Sequence, residues 1–214
     1  MKKLSLILIC LLLAMVVFTA CGSNNQPASN EKAGSTENLL SKSFADIFNS
    51  GKYYMKYKMT AGTDTEGSFT AIMEIYIKGD MIANVTELPD QKLENIIRDG
   101  KMYVIMHDQK MIITMPDIPS NMQQHDGVVN TKGMVYKGTG KAEFAGRELT
   151  YEEYKHATTD TSMRYFFDEK TLAGIQIVGE GGTKAELEIL ELSGNVPDSV
   201  FELPTGYTVA GPTN

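Results

Sequence analysis

The spacing of hydrophobic and polar positions changes three times along this chain. Leu4–Ala20 is one apolar run behind Lys2 and Lys3, interrupted only by Ser5, Cys10 and Thr19. Residues 22–36 then contain no aromatic and no branched aliphatic side chain. Such a segment cannot bury enough surface to offset its ordering entropy, and it reads as a flexible tether with a coil-like reach of roughly 20 Å. Next, Leu40, Phe44, Ile47 and Phe48 recur at i, i+4, i+7 and i+8. That spacing predicts an amphipathic helix, capped at Thr36, carrying Glu37 in its first turn and stopped by Gly51.

From Lys52 onward the period is two. Tyr53, Met55, Tyr57 and Met59 alternate with polar or exposed-type neighbours, and Phe69, Ala71, Met73, Ile75 and Ile77 share one face of the next run. Turn signals follow at short intervals, among them Gly79-Asp80, Asp99-Gly100, Asp108-Gln109, Ala145-Gly146 and Glu169-Lys170. Strand runs punctuated in this way predict a large antiparallel meander of about ten strands. Two hairpins set a register. A two-residue turn at Asp99-Gly100 places Arg98 opposite Lys101, Ile97 opposite Met102 and Leu93 opposite Met106. A second at Asp108-Gln109 places Met106 opposite Met111, Val104 opposite Ile113 and Met102 opposite Met115. Both put Leu93, Ile97, Met102, Val104, Met106, Met111, Ile113 and Met115 on one face, the expected interior wall. The other face would carry Glu94, Arg98, Lys101, Tyr103 and Thr114 with Ile96, Ile105 and Ile112. Residues 116–132 have little periodicity and read either as a lid or binding loop or as a disordered excursion.

Composition narrows the class. The formal charge is −7; without residues 1–20, which hold two lysines and no acid, it becomes −9. Such an acidic chain has no electrostatic footprint for nucleic acid or anionic headgroups. Of the two cysteines, Cys10 lies in the apolar run and Cys21 directly after it. No other thiol exists for a disulfide, a zinc site or a nucleophile. The 13 methionines are the compositional anomaly. Met fills irregular gaps in cores and also lines apolar surfaces that accept ligands of variable shape; both readings fit.

The motifs that would carry catalysis fail. Lys137-Gly138-Thr139-Gly140-Lys141-Ala142 lacks the first glycine and the metal-binding hydroxyl of a phosphate loop, and reads as a Gly-bearing strand or turn. His107, His125 and His156 are scattered, and His107 reads as solvated beside a turn. Glu152, Glu153, Glu186, Glu188 and Glu191 read as solvated faces. The chain has no Trp to platform a sugar between paired carboxylates. The expectation is a protein without enzymatic activity, cofactor or metal.

Phe18-Thr19-Ala20-Cys21-Gly22, closing the apolar run, resembles a bacterial lipoprotein signal peptide with its lipobox, although Phe18 stands where Leu is usual. The resemblance implies cleavage before Cys21 and a diacylglyceryl group on its sulfur, giving a signal peptide at 1–20 and a lipidated tether at 21–36. The alternative is an uncleaved N-terminal anchor. Two acyl chains suffice for stable anchoring at about 0.8 kcal/mol per buried CH₂. Residues 37–208 also resemble the LolA/LolB-like lipoprotein-carrier superfamily. The resemblance is carried by the helix feeding Tyr53–Met59, by Tyr151-Glu152-Glu153-Tyr154 with Ser162–Asp168, and by the closing Pro197-Asp198-x-x-Phe201-x-Leu203-Pro204-x-Gly206-Tyr207 segment. It implies an α+β, mostly antiparallel protein: an incomplete (half) β-barrel with the helix packed on its concave face and a cavity for acyl chains. Phe44, Phe48 and the eight wall residues above are the candidate ligand-binding positions. Residues 209–214 are expected to be a disordered tail. The functional expectation is an extracytoplasmic, membrane-tethered lipoprotein that binds a lipid or a lipoprotein acyl chain. The alternative is an envelope interaction or sensor module that recognises a protein partner.

Overall fold

The structure is a computed structural model that describes residues 39–63, 67–88, 91–115, 133–179 and 183–211. The expected signal segment, Cys21, the tether, and the loop at 116–132 lie outside these residues. Among the described residues, one α-helix, α1 (Leu40–Asn49), precedes twelve strands. These are β1 (Lys52–Thr63), β2 (Gly67–Lys78), β3 (Met81–Leu88), β4 (Gln91–Arg98), β5 (Lys101–Met106) and β6 (Met111–Met115). After them come β7 (Met134–Phe144), β8 (Arg147–His156), β9 (Ser162–Asp168), β10 (Thr171–Val178), β11 (Lys184–Ser193) and β12 (Thr208–Ala210).

All twelve strands form one open sheet, in the order β12-β6-β5-β4-β3-β2-β1-β11-β10-β9-β8-β7. Two meanders, β1–β6 and β7–β11, are therefore stitched together by the β1–β11 pair, and the connection from β6 to β7 joins opposite sides of the sheet. Every pairing is antiparallel except the short β12–β6 edge pair. The expected count of about ten strands becomes twelve. Val209 and Ala210, expected in the tail, continue β12 and pair with Ile112 and Ile113. A three-residue strand is too short to leave a two-residue period in the sequence.

The inner face holds the main core. Tyr53, Met55, Tyr57 and Met59 of β1 and Ala71, Met73, Ile75 and Ile77 of β2 are all buried on it, as their alternation predicts. The cluster runs on through Ile82, Ile97 and Val104 on one side and Leu187, Ile175, Tyr165 and Tyr154 on the other. Eleven strands laid flat would be about 50 Å wide at ~4.8 Å spacing, whereas a ten-residue helix is about 15 Å long. Burial strand after strand is what an incomplete barrel curled around its interior provides.

The outer face is covered unevenly. The segment after β11 crosses β2–β6 and sets Val196 and Phe201 onto Ala83, Ile96, Ile105 and Ile112. Lys78 pairs with Asp198, and Arg98 Nη1 donates to the carbonyl of Phe201 at 2.9 Å. Ile96, Ile105 and Ile112, expected beside charged residues on the outward face, thus have an apolar cover of their own. On the far half, Phe144, Leu149, Phe166 and Ala173 make a separate patch.

Candidate ligand-binding face

The wall formed by β4, β5 and β6 has the register derived from its turns. Leu93 pairs with Met106, Ile97 with Met102 and Arg98 with Lys101; Met102 pairs with Met115, Val104 with Ile113 and Met106 with Met111. Asp99 (φ 53°) and Gly100 (φ 69°) both adopt positive φ, as a two-residue turn matching strand twist requires. The second connection differs from the expected two-residue turn: the strands stop at Met106 and Met111, and His107–Gln109 form a 3₁₀ turn closed by Lys110 at φ 47°. The register survives because residues 107–110 still bridge Met106 to Met111. Leu93, Ile97, Met102 and Val104 are buried; Met106, Met111, Ile113 and Met115 are half-buried.

α1 lies toward the other half of this face. Phe44 packs on Phe167 of β9, with ring centres 5.9 Å apart. Phe48 meets Tyr53 of β1 edge-on at 5.0 Å. Neither aromatic contact lies on β4–β6. The candidate positions therefore separate into a helix-borne pair seated over β1 and β9 and a Met/Ile/Val wall several strands away.

α1 takes its N-terminal cap from the sheet. Its flanking residue Leu39 makes no side-chain cap, and its first turn holds no acid. Instead Glu152 of β8 points inward, accepting the N–H of Leu40 at 2.6 Å and of Ser41 at 3.1 Å. The hydroxyls of Ser41 and Tyr154 are 2.7 Å apart. A carboxylate at unpaired helix N–H groups also complements the helix dipole. Glu152 is thus buried rather than solvated. Sequence parity could not settle this, because β8 carries Leu149 and Tyr151 on one face and Glu152 and Tyr154 on the other. Asn84 and Asn95, also missed, pair directly with each other across β3 and β4. Their neighbours Ile75 and Val104 place both on the inner face.

His107 is likewise not simply solvated. Its Nε2 lies 2.7 Å from a carboxylate oxygen of Glu94 and its Nδ1 2.9 Å from the Tyr207 hydroxyl. The ring joins the C-terminal segment to β4. The Gly-bearing run at 137–142 lies within β7, where Lys137 forms a bulge opposite Tyr154 and Glu153. At this edge a polar hollow of ≈ 420 Å³ is lined by Val135, Lys137, Lys155, His156 and the 157–160 turn; Lys155 there pairs with Asp160 at 2.9 Å.

The inner face also shifts the titration of its tyrosines. Burial pushes Tyr57 up to about 12. Burial, reinforced by the nearby Tyr57, raises Tyr53 further, and burial with Tyr154 raises Tyr165. These phenols stay protonated at every physiological pH. Among the described residues no three His, Cys, Asp or Glu side chains could hold a metal together, and no helix is long and apolar enough to cross a membrane.

No protein-family model matches the sequence, and no curated protein matches it. Solved structures do. A LolA superfamily protein from Nitrosomonas europaea is 9% identical with TM-score 0.44, over 78% of this chain and 99% of the other. An uncharacterized conserved protein from Thermus thermophilus is 8% identical with TM-score 0.47, over 81% and 99%. LprF from Mycobacterium bovis is 8% identical with TM-score 0.46, over 77% and 97%.

Proposed function

We propose that this protein is a membrane-tethered, extracytoplasmic lipoprotein, anchored through Cys21, that binds or carries an acyl chain on the inner face of its half-barrel without catalysing a reaction. The supporting observation is the Leu93–Met115 wall, an apolar surface of eight aligned side chains lying strands away from the aromatic contacts of the only helix described. Its four methionines adapt to chains of differing length and kink. Purified protein extracted into organic solvent and analysed by mass spectrometry is expected to release stoichiometric acyl lipid. A protein that carries none, and takes up none when offered, overturns the reading.

A second reading, a module that recognises another envelope protein, draws on the sheet edge. Thr208–Ala210 of β12 are all exposed, with Val209 62% exposed, and an open strand edge is a template for pairing. Cross-linking in intact cells separates the two: a recurrent protein partner without retained lipid favours this module.

A further inference from the structure

The turn between β8 and β9 is closed on a side chain. The N–H groups of Thr158 and Thr159 both point at Nδ1 of His156, at 3.3 and 3.2 Å, and the Thr158 hydroxyl stands 3.3 Å from the same atom. An imidazole nitrogen accepts only when it carries no proton, so the ring is neutral in this arrangement, with its hydrogen on Nε2. Two backbone bonds complete the loop: the His156 N–H donates to the Thr161 carbonyl at 2.8 Å and the Ala157 N–H to the Gly133 carbonyl at 3.0 Å. A Cβ on Gly133 would stand 3.1 Å from Nε2, so the ring lies close against the backbone leading into β7.

We propose that protonation of His156 converts this turn into a binding site for a small oxyanion. Histidine is the side chain that ordinarily changes charge between about pH 5 and 8. A proton on Nδ1 turns the acceptor into a donor, and the N–H groups of Thr158 and Thr159 then face a third N–H. The imidazolium has to leave that position. What remains is a place 3.2–3.3 Å from two N–H donors, beside the polar hollow that His156, Thr158 and Thr159 line. An oxygen of a sulfate or phosphate group restores the lost acceptor there.

The surrounding charges favour the same occupant. Among the described residues, the charged groups around the ring are Lys155 on its own strand, Lys137 on β7 and Asp160 in the turn, all lining the hollow. Glu153, next on the outer side of β8, is taken up by Arg164 of β9. With His156 neutral the lining carries two cations and one anion; with His156 protonated it carries three and one. Asp160 holds Lys155 at 2.9 Å, and an arriving oxyanion competes with that carboxylate for the ammonium. An anion that prefers the protonated form also favours protonation, by reciprocity. The site lies at the opposite end of the sheet from the β4–β6 wall and does not depend on the acyl-binding reading.

The test is titration of the protein with sodium sulfate at pH 5.5 and 7.5, followed by backbone amide NMR; sulfate keeps its charge at both. At pH 5.5 sulfate is expected to shift the amides of residues 156–160 saturably. At pH 7.5 it is expected to bind about tenfold more weakly, the worth of one charge-assisted hydrogen bond. His156→Asn sets an amide oxygen near the Nδ1 position without a titrating group. That variant is expected to keep its turn amides unchanged between the two pH values and to bind sulfate weakly at both. Equal binding by wild type at both pH values, or wild-type binding by His156→Asn, would mean an adventitious ion only, held by the lysines. Thr158 and Thr159 amides that keep their shifts and exchange protection while the His156 ring titrates without sulfate would also overturn the inference. Phosphatidylglycerol vesicles added at pH 5.5 separate two sources of the same chemistry. Broadening of these amides in competition with sulfate assigns the oxyanion to a lipid headgroup, and sharp amides assign it to a dissolved ion.

Discussion

Glu152 is a carboxylate placed where an inward-facing strand position ordinarily carries an apolar side chain. Its two oxygens meet the N–H groups of Leu40 and Ser41, so the helix start and the sheet are one polar assembly. Glu152→Ala leaves those donors without an acceptor and is expected to cost about 1–3 kcal/mol, measured as a lower urea midpoint; Glu152→Gln, which keeps an oxygen, should recover part. A midpoint unchanged in the alanine variant would mean that the latch holds nothing. The buried phenols set an alkaline limit. Tyr57 is pushed up to about 12, so its contribution is complete below the ordinary tyrosine value of ~10 and lost as pH rises toward the folded value. Absorbance at 295 nm should show Tyr53, Tyr57 and Tyr165 ionising only as the protein unfolds. Titration of all 10 tyrosines near pH 10 with the fold intact would contradict their burial. At this scale the sequence was legible for side chains whose neighbours share their polarity, such as Met55 and Ile75. It was silent for Glu152 and His107, whose partners lie on other elements, and for Asn95, which faces inward opposite Asn84.

Strands were easier to read than single residues, because alternation and turn chemistry reinforce each other. The Asp99-Gly100 hairpin fixed its register through two positive-φ positions. The bulges are another matter. Ala173 is the unpaired residue of β10, between Leu172 and Gly174, and nothing in the alternation announces it. Its neighbour Gly174 has a definite packing role on the outer face. Phe144 reaches across from β7 to stack on Phe166 at 4.5 Å, and a Cβ on Gly174 would stand 2.2 Å from the Phe144 ring and 2.9 Å from the Leu187 carbonyl. Gly174→Ala is therefore expected to destabilise by about 1–3 kcal/mol through overpacking, read from thermal or urea unfolding. Adding Phe144→Leu should recover part of the loss by vacating the ring's position. Equal stability of Gly174→Ala and wild type would show that the ring moves aside freely.

The whole molecule is defined by a pairing that no local pattern encodes. Joining β1 to β11 merges two meanders into one sheet, and its partners are more than 120 residues apart at every position. Local turns could predict each hairpin and the interior wall, but not which strands close the gap between the two halves. Nor could they predict that the C-terminal segment would cover Ile96, Ile105 and Ile112 from outside. Under the proposed function the acyl chain lies on the inner face, and the outer cover provides an internal control, because Met81 packs in the outer cluster while Met102 and Met115 belong to the inner one. The most direct measurement is NMR of methyl-labelled methionines on adding doxyl-labelled methyl stearate. An acyl chain on the inner face predicts strong paramagnetic broadening of Met102, Met106, Met111 and Met115 with Met81 left sharp. Broadening of Met81 to the same degree, or of none of them, would contradict the account.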